Sequence, residues 1–283
     1  MNGAEEKRLS RLVFLGTGTS QGVPIIGCDC AVCSSSDPRD RRLRTSVALE
    51  GSKTRVVIDT GPDFRTQMLR EGFTRLDAIV YTHEHKDHLA GMDDVRPFNY
   101  LQNKAMTLHA SSMVETALRR DFHYAFEEHR HGGVPNVDIA PVVDEQPFTT
   151  GVLSWMPIPV MHGKLPIHGF RVDNLAYITD ASAISEHSMS LLQGLEVLVL
   201  NALRPQPHYS HFSLSEALEV AQTLNANRTY LTHLSHLMGS HHEVDQALPH
   251  GVRLAHDGLV LERLQTGEWQ EKVSDWARNA KGS

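Results

Sequence analysis

Hydrophobic residues occur in short runs along this chain, and many of the runs end at a glycine, an aspartate or a histidine. Short runs rich in β-branched and aromatic side chains are typical of buried strands. The clearest runs predict strands at residues 11–15, 45–50, 54–58, 76–81, 106–108, 152–160, 169–172, 175–179, 195–200, 228–232, 252–255 and 259–262. Gly51-Ser52 separates the second run from the third and predicts a hairpin turn.

Longer stretches with an apolar stripe at helical spacing predict helices between these strands. The stretch 63–71 is amphipathic and stops at Gly72. Ser213 and Glu216 have the spacing of a capping box and predict a helix that runs to about Leu224. Other helices are predicted at 93–101, 112–126 and 243–248. Strands followed by helices thus occur twice, which predicts an α/β fold with two mixed sheets packed face to face and helices outside.

Composition limits the class of protein. The chain has 283 residues, 40% of them hydrophobic, which is enough for one large domain or two fused halves, and we expect this folded part over residues 1–264. Residues 265–283 are polar and predict a frayed C-terminal tail. No apolar run is long enough to span a bilayer, and the polar N-terminus lacks the core of a secretion signal, so we expect a cytoplasmic protein without membrane contact. The net charge of −7 argues against binding of long nucleic acids.

The segment Thr82-His83-Glu84-His85-Lys86-Asp87-His88 directly follows the predicted strand at 76–81. Loops that leave a buried strand and enter a helix are where α/β proteins place ligands. His83 and His85 are two residues apart, so on an extended backbone they share a face and can bind one cation. Asp87 and His88 come after the chain has turned, and we expect them to reach a second cation.

Three further strand ends carry a histidine or an aspartate, and with the first segment they supply seven nitrogen and oxygen ligands. That number exceeds the four ligands of a tetrahedral zinc and suits two metals that share one carboxylate. The division we expect gives His83, His85 and His162 to one metal, Asp87, His88 and His233 to the other, and Asp180 to both. Two such divalent metals, zinc or manganese, would activate a water between them.

Other polar residues fall outside this count. Asp59 ends the strand at 54–58 and either caps a turn or stands behind the metal ligands and fixes their loop; we favour the second role. The three cysteines have a spacing that suits one zinc with a fourth ligand still missing, although a cluster of reduced thiols gives the same pattern; they are Cys28, Cys30 and Cys33. Three histidines without ligand spacing are expected at the surface, namely His123, His129 and His131.

These residues together resemble the metallo-β-lactamase superfamily. Segment 82–88 matches the family's H-x-H-x-D-H signature, and the remaining motifs of the family are matched in order by Asp59, His162, Asp180 and His233. The resemblance covers about residues 11–262 and implies the αββα sandwich of that family. The cysteine segment Gly27-Cys28-Asp29-Cys30-Ala31-Val32-Cys33, with Leu-Thr-His-Leu-Ser-His at 231–236, is similar to the PhnP-like branch, named after a phosphoribosyl 1,2-cyclic phosphate phosphodiesterase.

The closer resemblance implies a structural zinc bound by Cys28, Cys30, Cys33 and His236. It also implies that His211 is a catalytic group outside the metal shell, whereas the alternative is that His211 is only a neighbour of the helix N-cap. The candidate catalytic residues are His211, Asp87 and Asp59. The expected activity is metal-dependent hydrolysis of a small, cyclic phosphodiester by a metal-bridging hydroxide, with His211 as proton donor to the departing oxygen.

Several alternatives stay open at this point. Within the same fold the chain could be an RNA 3′-processing nuclease or a thioester hydrolase, or it could belong to the branch related to pyrroloquinoline quinone synthesis. A protein without enzymatic activity would be a zinc-stabilised binding protein whose histidine loop is inert. We expect a small phosphodiester as the binding partner, and the sequence is compatible with a homodimer.

Overall fold

The structure is a computed structural model that describes residues 8–127 and 133–274. The strands are β1 (Leu9–Gly16), β2 (Ser46–Gly51), β3 (Thr54–Ile58), β4 (Ala78–Val80), β5 (Met106–Ala110), β6 (Val137–Pro141), β7 (Phe148–Thr150), β8 (Leu153–His162), β9 (Leu165–Val172), β10 (Leu175–Ile178), β11 (Val197–Asn201), β12 (Arg228–Thr232), β13 (Val252–Leu254), β14 (Leu259–Arg263) and β15 (Trp269–Val273). The α-helices are α1 (Phe64–Glu71), α2 (Lys86–Leu89), α3 (Arg96–Gln102), α4 (Ser112–Asp121), α5 (Glu186–Leu191), α6 (Leu214–Leu224) and α7 (His241–Ala247).

The chain divides into two compact units, of which the first comprises the described residues within 1–15, 46–154 and 258–283. Its mixed sheet has the strand order β15-β14-β1-β2-β3-β4-β5-β6. Strands β3 to β6 run parallel, whereas β2 and β3 form the predicted antiparallel hairpin across residues 51–54. Because parallel strands end at the same edge of a sheet, the ends of β3 and β4 bring Asp59 and the histidine segment to one edge.

Apolar side chains of this sheet pack against helices α1 and α4 in a single buried cluster. Val57 and Ile79 belong to it from the strands, and Phe64 and Leu118 belong to it from the two helices. Helix α1 ends where the sequence predicts, because Gly72 adopts a left-handed conformation with φ of 62°. This rigid layer holds the turn after β4, which carries the histidine segment.

The second unit comprises residues 16–45 and 155–257 and contains the larger part of a mixed sheet with the order β13-β12-β11-β10-β9-β8-β7. Strands β10 to β13 are parallel, so their carboxyl ends also share one edge. The predicted capping box is confirmed, since the Ser213 and Glu216 side chains each bind the backbone of the other. Helix α6 buries Ala217 and Leu224 in the core of this unit. The prediction of an α/β fold with two mixed sheets and helices is confirmed.

The expectation for the C-terminus is wrong in part. Residues 269–273 form β15, which pairs antiparallel with β14, and Trp269 is buried. The three consecutive polar residues of this strand, 270–272, resemble a tail in composition, yet an edge strand also exposes polar side chains. Residues 275–283, His129 and His131 lie outside the described residues, and His123 is exposed as expected. Within the described ranges, no helix has the length and apolar character needed to cross a membrane.

Candidate metal centre

The first unit gathers imidazoles and a carboxylate directly after β4. His83 Nε2 lies 3.1 Å from His85 Nδ1, as expected for two residues on one face of an extended segment. The chain then turns into α2, which carries Asp87 and His88, and the Asp87 carboxylate lies 3.2 Å from His88 Nε2. The His83 and His88 rings are 4.1 Å apart. The four predicted ligands of this segment therefore lie together in the first unit.

Asp59 stands behind this segment and is fully buried. Its carboxylate accepts hydrogen bonds from the Thr82 backbone N–H at 2.9 Å, the Thr82 hydroxyl at 2.8 Å and His88 Nδ1 at 2.7 Å. Burial raises the pKa of Asp59, while His88 and Thr82 lower it. Since Nδ1 of His88 is bound to the carboxylate, the opposite nitrogen Nε2 is the one available to a metal. The Asp59 side chain thus lies where a residue that orients the loop must lie.

A substitution of Asp59 tests this positioning role. Asp59→Asn keeps the shape of the side chain but removes its charge, and we expect the affinity for active-site metal to fall about 10- to 100-fold. Calorimetric titration of the metal-free protein with metal measures this change in affinity. Asp138→Asn, at an exposed position on β6, is the matched control and should bind metal normally. Unchanged metal affinity in Asp59→Asn would show that Asp59 serves only as a turn cap.

The second unit places four predicted site residues at the ends of its strands and in the loop before α6. His162 ends β8, and its Nδ1 donates a 2.6 Å hydrogen bond to the carbonyl of Ser210, which leaves Nε2 as the nitrogen for a ligand. The Asp180 carboxylate lies 3.2 Å from His233 Nε2. Ligand atoms of His162, Asp180 and His211 lie within 4.8 Å of one another. These residues, which the sequence leaves dispersed over about seventy positions, converge in the second unit.

Three of the strand-end residues adopt a backbone conformation that is uncommon without glycine. Asp59, Asp180 and His233 have φ values of 64°, 59° and 56°. Left-handed residues of this kind cost about 1–3 kcal/mol and persist where the surrounding structure holds them, often at functional sites. Each residue directly follows or closely follows a parallel strand of its sheet. The left-handed conformation therefore recurs where parallel strands end at the predicted site residues.

His211 lies in the loop before α6 beside the other histidines. Its ring stacks on His233 with the centroids 4.8 Å apart, and the His162 ring lies 4.6 Å away. Burial lowers the pKa of His211 to about 3, and the neighbouring His233 contributes to the same shift. Among the described residues, none forms a hydrogen bond to the buried Nδ1 of His211. Nδ1 of His211 is thus a buried nitrogen without a hydrogen-bond partner among the described residues.

The cysteines converge on His236 within the second unit. The distances from His236 Nδ1 to the sulfurs of Cys28, Cys30 and Cys33 are 3.3, 3.4 and 3.5 Å. Tetrahedral zinc with ordinary Zn–S and Zn–N bonds separates sulfur from nitrogen by about 3.5 Å. The backbone N–H of Cys33, followed by His236, lowers the pKa of Cys30 to about 6, whereas burial raises the pKa of Cys33 to about 11. The donor set and its spacing fit a zinc ion.

The cysteine cluster and the strand-end histidine are joined by a short backbone segment. His233 and His236 are three residues apart, and Leu234 between them is bound by the glycine turn Gly16-Thr17-Gly18-Thr19 at the end of β1. Leu234 N–H donates to the Thr17 carbonyl at 2.9 Å, and the Thr19 N–H donates to the Leu234 carbonyl at 3.1 Å. The glycine turn therefore fixes the backbone of this segment by two hydrogen bonds, a role that the sequence does not reveal.

Comparison with known proteins gives the family of the chain. Residues 54–234 match the family described as "Beta-lactamase superfamily domain". The crystal structure of a new diphosphatase from the PhnP family is 44% identical, with a TM-score of 0.84, and the match covers 93% of this chain and 98% of that one. The chain belongs to the metallo-β-lactamase superfamily. The extent and identity of the second match further show that it is a PhnP-family member.

Two more relatives place this PhnP-family chain in a wider context. An octanoyltransferase from Porphyromonas gingivalis is 36% identical over 251 residues, which are 88% of this chain and 51% of that protein. The chain thus spans about half the length of this relative, whose name refers to the longer protein. Zinc-bound PqqB from Methylobacterium extorquens is 18% identical with a TM-score of 0.71, covers 89% of this chain and 99% of that one, and shares the fold. The resemblance to the PhnP-like branch predicted from the sequence is confirmed.

Proposed function

We propose that this PhnP-family chain is a phosphodiesterase that hydrolyses a small, cyclic phosphodiester with two divalent metals. The observation that carries the proposal is the convergence of His162, Asp180 and His211 in the second unit. In this cluster the His211 imidazole lies close to a carboxylate and a second imidazole, which are residue types that bind metals. The division of ligands is the one expected from the sequence, with Asp180 shared by the two metals.

The donor atoms that each unit offers suit such ions. The first unit offers His83, His85, His88 and the Asp87 carboxylate, and the second offers two imidazoles and one carboxylate. Imidazole and carboxylate donors accept zinc or manganese. When bound, divalent metals would neutralise charge on the phosphate oxygens and lower the pKa of a coordinated water. The negative formal charge of the chain favours a small substrate over long RNA, since no basic surface is expected to hold a polyanion.

His211 is assigned the proton transfer in this proposal. As a water oxygen forms its bond to phosphorus, the bond from phosphorus to the alcohol oxygen breaks, and His211 gives that oxygen a proton. A general acid must be protonated before the reaction, whereas burial holds the pKa of His211 at about 3. A phosphate anion beside the ring raises the pKa, because an opposite charge within about 4–6 Å favours the protonated form.

A second candidate function is hydrolysis of a diphosphate bond. The observation in its favour is the diphosphatase of the PhnP family, which is 44% identical over almost the entire chain. The two reactions need the same metals and nucleophile and differ in the leaving group, which is a phosphate in one reaction and an alcohol in the other. A phosphate leaving group needs less help from a proton donor.

Turnover of a substrate panel by the metal-loaded protein tests the proposal. The panel contains 2′,3′-cyclic AMP, a cyclic ribose phosphate, bis-p-nitrophenyl phosphate, a dinucleoside diphosphate, a thioester and a lactam. We expect the cyclic phosphodiesters to give the highest kcat/KM. A preference for the diphosphate would establish the second candidate, and turnover of the thioester alone would contradict both.

We also propose that the cysteine cluster holds one structural zinc. Replacing one thiolate in Cys30→Ser should lower the zinc content by about one ion per chain and lower Tm by more than about 5 °C, because binding to a folded site adds directly to stability. Elemental analysis and calorimetry measure the two effects. The control is Ser36→Ala, an exposed position in the same loop. Normal zinc content and Tm in Cys30→Ser would show that the cysteines are merely neighbouring thiols.

A further inference from the structure

Aromatic rings in the second unit form a row from a proposed metal ligand to the surface. His233 and His211 are 4.8 Å apart between centroids, His211 and His208 are 5.2 Å apart, and His208 and Tyr209 are 4.9 Å apart. Successive rings are inclined by only 22° to 36°. The outer two rings have no part in the reaction proposed above, so their arrangement calls for another role.

Tyr209 ends this row and is 85% exposed, although a buried position would be the usual place for so large a ring. A Cβ built on Gly163 would lie 3.6 Å from ring carbons Cδ2 and Cε2 of Tyr209, so the ring lies beside the residue that directly follows His162. Gly163 has φ of 59°, which favours glycine at this position. Tyr209 therefore lies beside Gly163 and presents most of its surface to solvent.

The loop that carries the outer rings is fixed by backbone contacts. The Ser210 carbonyl accepts the 2.6 Å hydrogen bond from His162, the Phe212 N–H donates to the Ala181 carbonyl at 2.8 Å, and the Arg204 side chain donates to the Pro207 carbonyl at 3.2 Å. Ser210 and Phe212 are the direct neighbours of His211. The spacing between His211 and the Tyr209 ring is thus set by the same contacts that hold the site residues.

We propose that His208 and Tyr209 form a subsite for a nucleobase, so that the substrate is a nucleoside phosphodiester and not a sugar phosphate without a base. The inference rests on the function proposed above, which places the phosphate near His211. Two ring-to-ring steps of about 5 Å separate His211 from Tyr209, a reach that a pentose between phosphate and base can span. Aromatic side chains bind bases by stacking, which tolerates every base because each has a flat face.

Binding of two probes to the metal-loaded protein tests the subsite. Adenosine 5′-monophosphate and ribose 5-phosphate share the sugar and phosphate and differ in the base. We expect Tyr209→Ala to weaken the binding of adenosine 5′-monophosphate by about 5- to 150-fold, the usual loss when a stacking ring is removed, and to weaken ribose 5-phosphate much less. Tyr209→Phe keeps the ring and should bind both probes within about threefold of the unaltered protein. Calorimetry measures the six dissociation constants, two for the unaltered protein and two for each variant.

Tyr100→Ala is the matched control, since Tyr100 is another exposed tyrosine, 66% accessible, on α3 of the first unit. This variant should bind both probes normally. Equal losses for the two probes in Tyr209→Ala, no loss for either, or no binding of adenosine 5′-monophosphate by the unaltered protein would each overturn the subsite.

Kinetics with 2′,3′-cyclic AMP distinguish the proposed nucleobase subsite from the proposed phosphodiesterase reaction. Hydrolysis of 2′,3′-cyclic AMP with no effect of Tyr209→Ala would leave the reaction standing and remove the subsite. Base-dependent binding that Tyr209→Ala abolishes, in a protein that hydrolyses no phosphodiester, would keep the subsite and overturn the reaction.

Discussion

Asp180→Ala is expected to abolish turnover and to lower the content of active-site metal. In the proposed centre this carboxylate is shared by both metals, so its loss removes one ligand from each. Loss of a residue that merely orients a ligand costs about 10- to 100-fold in metal affinity or activity, and the loss of a shared ligand should exceed that range. Elemental analysis of the purified variant and its kcat with 2′,3′-cyclic AMP measure the two effects.

Backbone strain must be separated from metal loss in this experiment. Asp180 has φ of 59°. An alanine in the left-handed region costs about 1–2 kcal/mol relative to the right-handed region, and this cost lowers the free energy of unfolding of the variant. Asp173 also has a positive φ, of 53°, at the turn between β9 and β10 of the same unit. Asp173→Ala should therefore lose similar stability but keep its metal and its turnover. Full activity with normal metal content in Asp180→Ala would exclude the shared carboxylate.

Much of the local structure could be predicted because it depends on local patterns. β3 and β12 have the predicted bounds, since β-branched runs stop at a clear polar residue in both cases. The strand expected at 76–81 is shorter and extends only from Ala78 to Val80. At the start of this segment, the Leu76 N–H donates to the distant Gln102 side chain at 2.8 Å instead of to a neighbouring strand. Such a contact leaves no trace in the apolar pattern.

The chemistry of the site is visible in the sequence, whereas its backbone geometry is not. Residue types and spacing indicate that His83, His85 and Asp180 are ligand candidates. The left-handed conformation of Asp59, Asp180 and His233 is invisible, because aspartate and histidine occur at strand ends with either sign of φ. The polar composition of β15 resembles that of a tail, since only the pairing with β14 distinguishes the two.

The row of aromatic rings from His233 to Tyr209 could not be predicted from the sequence either. His208 and Tyr209 are ordinary polar loop residues when read along the chain, and no spacing signal distinguishes them. Their relation to His162 depends on Gly163 and on the carbonyl of Ser210, which come together only when β8 meets the loop before α6. Contacts between segments almost fifty positions apart define this part of the molecule. Sequence periodicity, by contrast, reports on neighbours within a few residues.

His211→Ala is expected to slow hydrolysis of an alkyl phosphodiester by about 10²- to 10⁴-fold while it keeps the full metal content. A proton donor matters most when the departing oxygen is a poor leaving group, such as a ribose hydroxyl. It matters far less for p-nitrophenolate, which departs without a proton. The loss in kcat should thus be large with 2′,3′-cyclic AMP and clearly smaller with bis-p-nitrophenyl phosphate, as measured under saturating substrate.

The comparison of two substrates within one variant cancels general damage to the site. Equal losses on both substrates would mean that His211 binds phosphate or stabilises charge in the transition state, and does not donate a proton. Metal analysis of the same variant examines a different role. His211 lies with His162 and Asp180 in one cluster of ligand atoms, so loss of an active-site metal in His211→Ala would make His211 a ligand. Retained metal together with a loss that depends on the leaving group is the result that only proton donation explains.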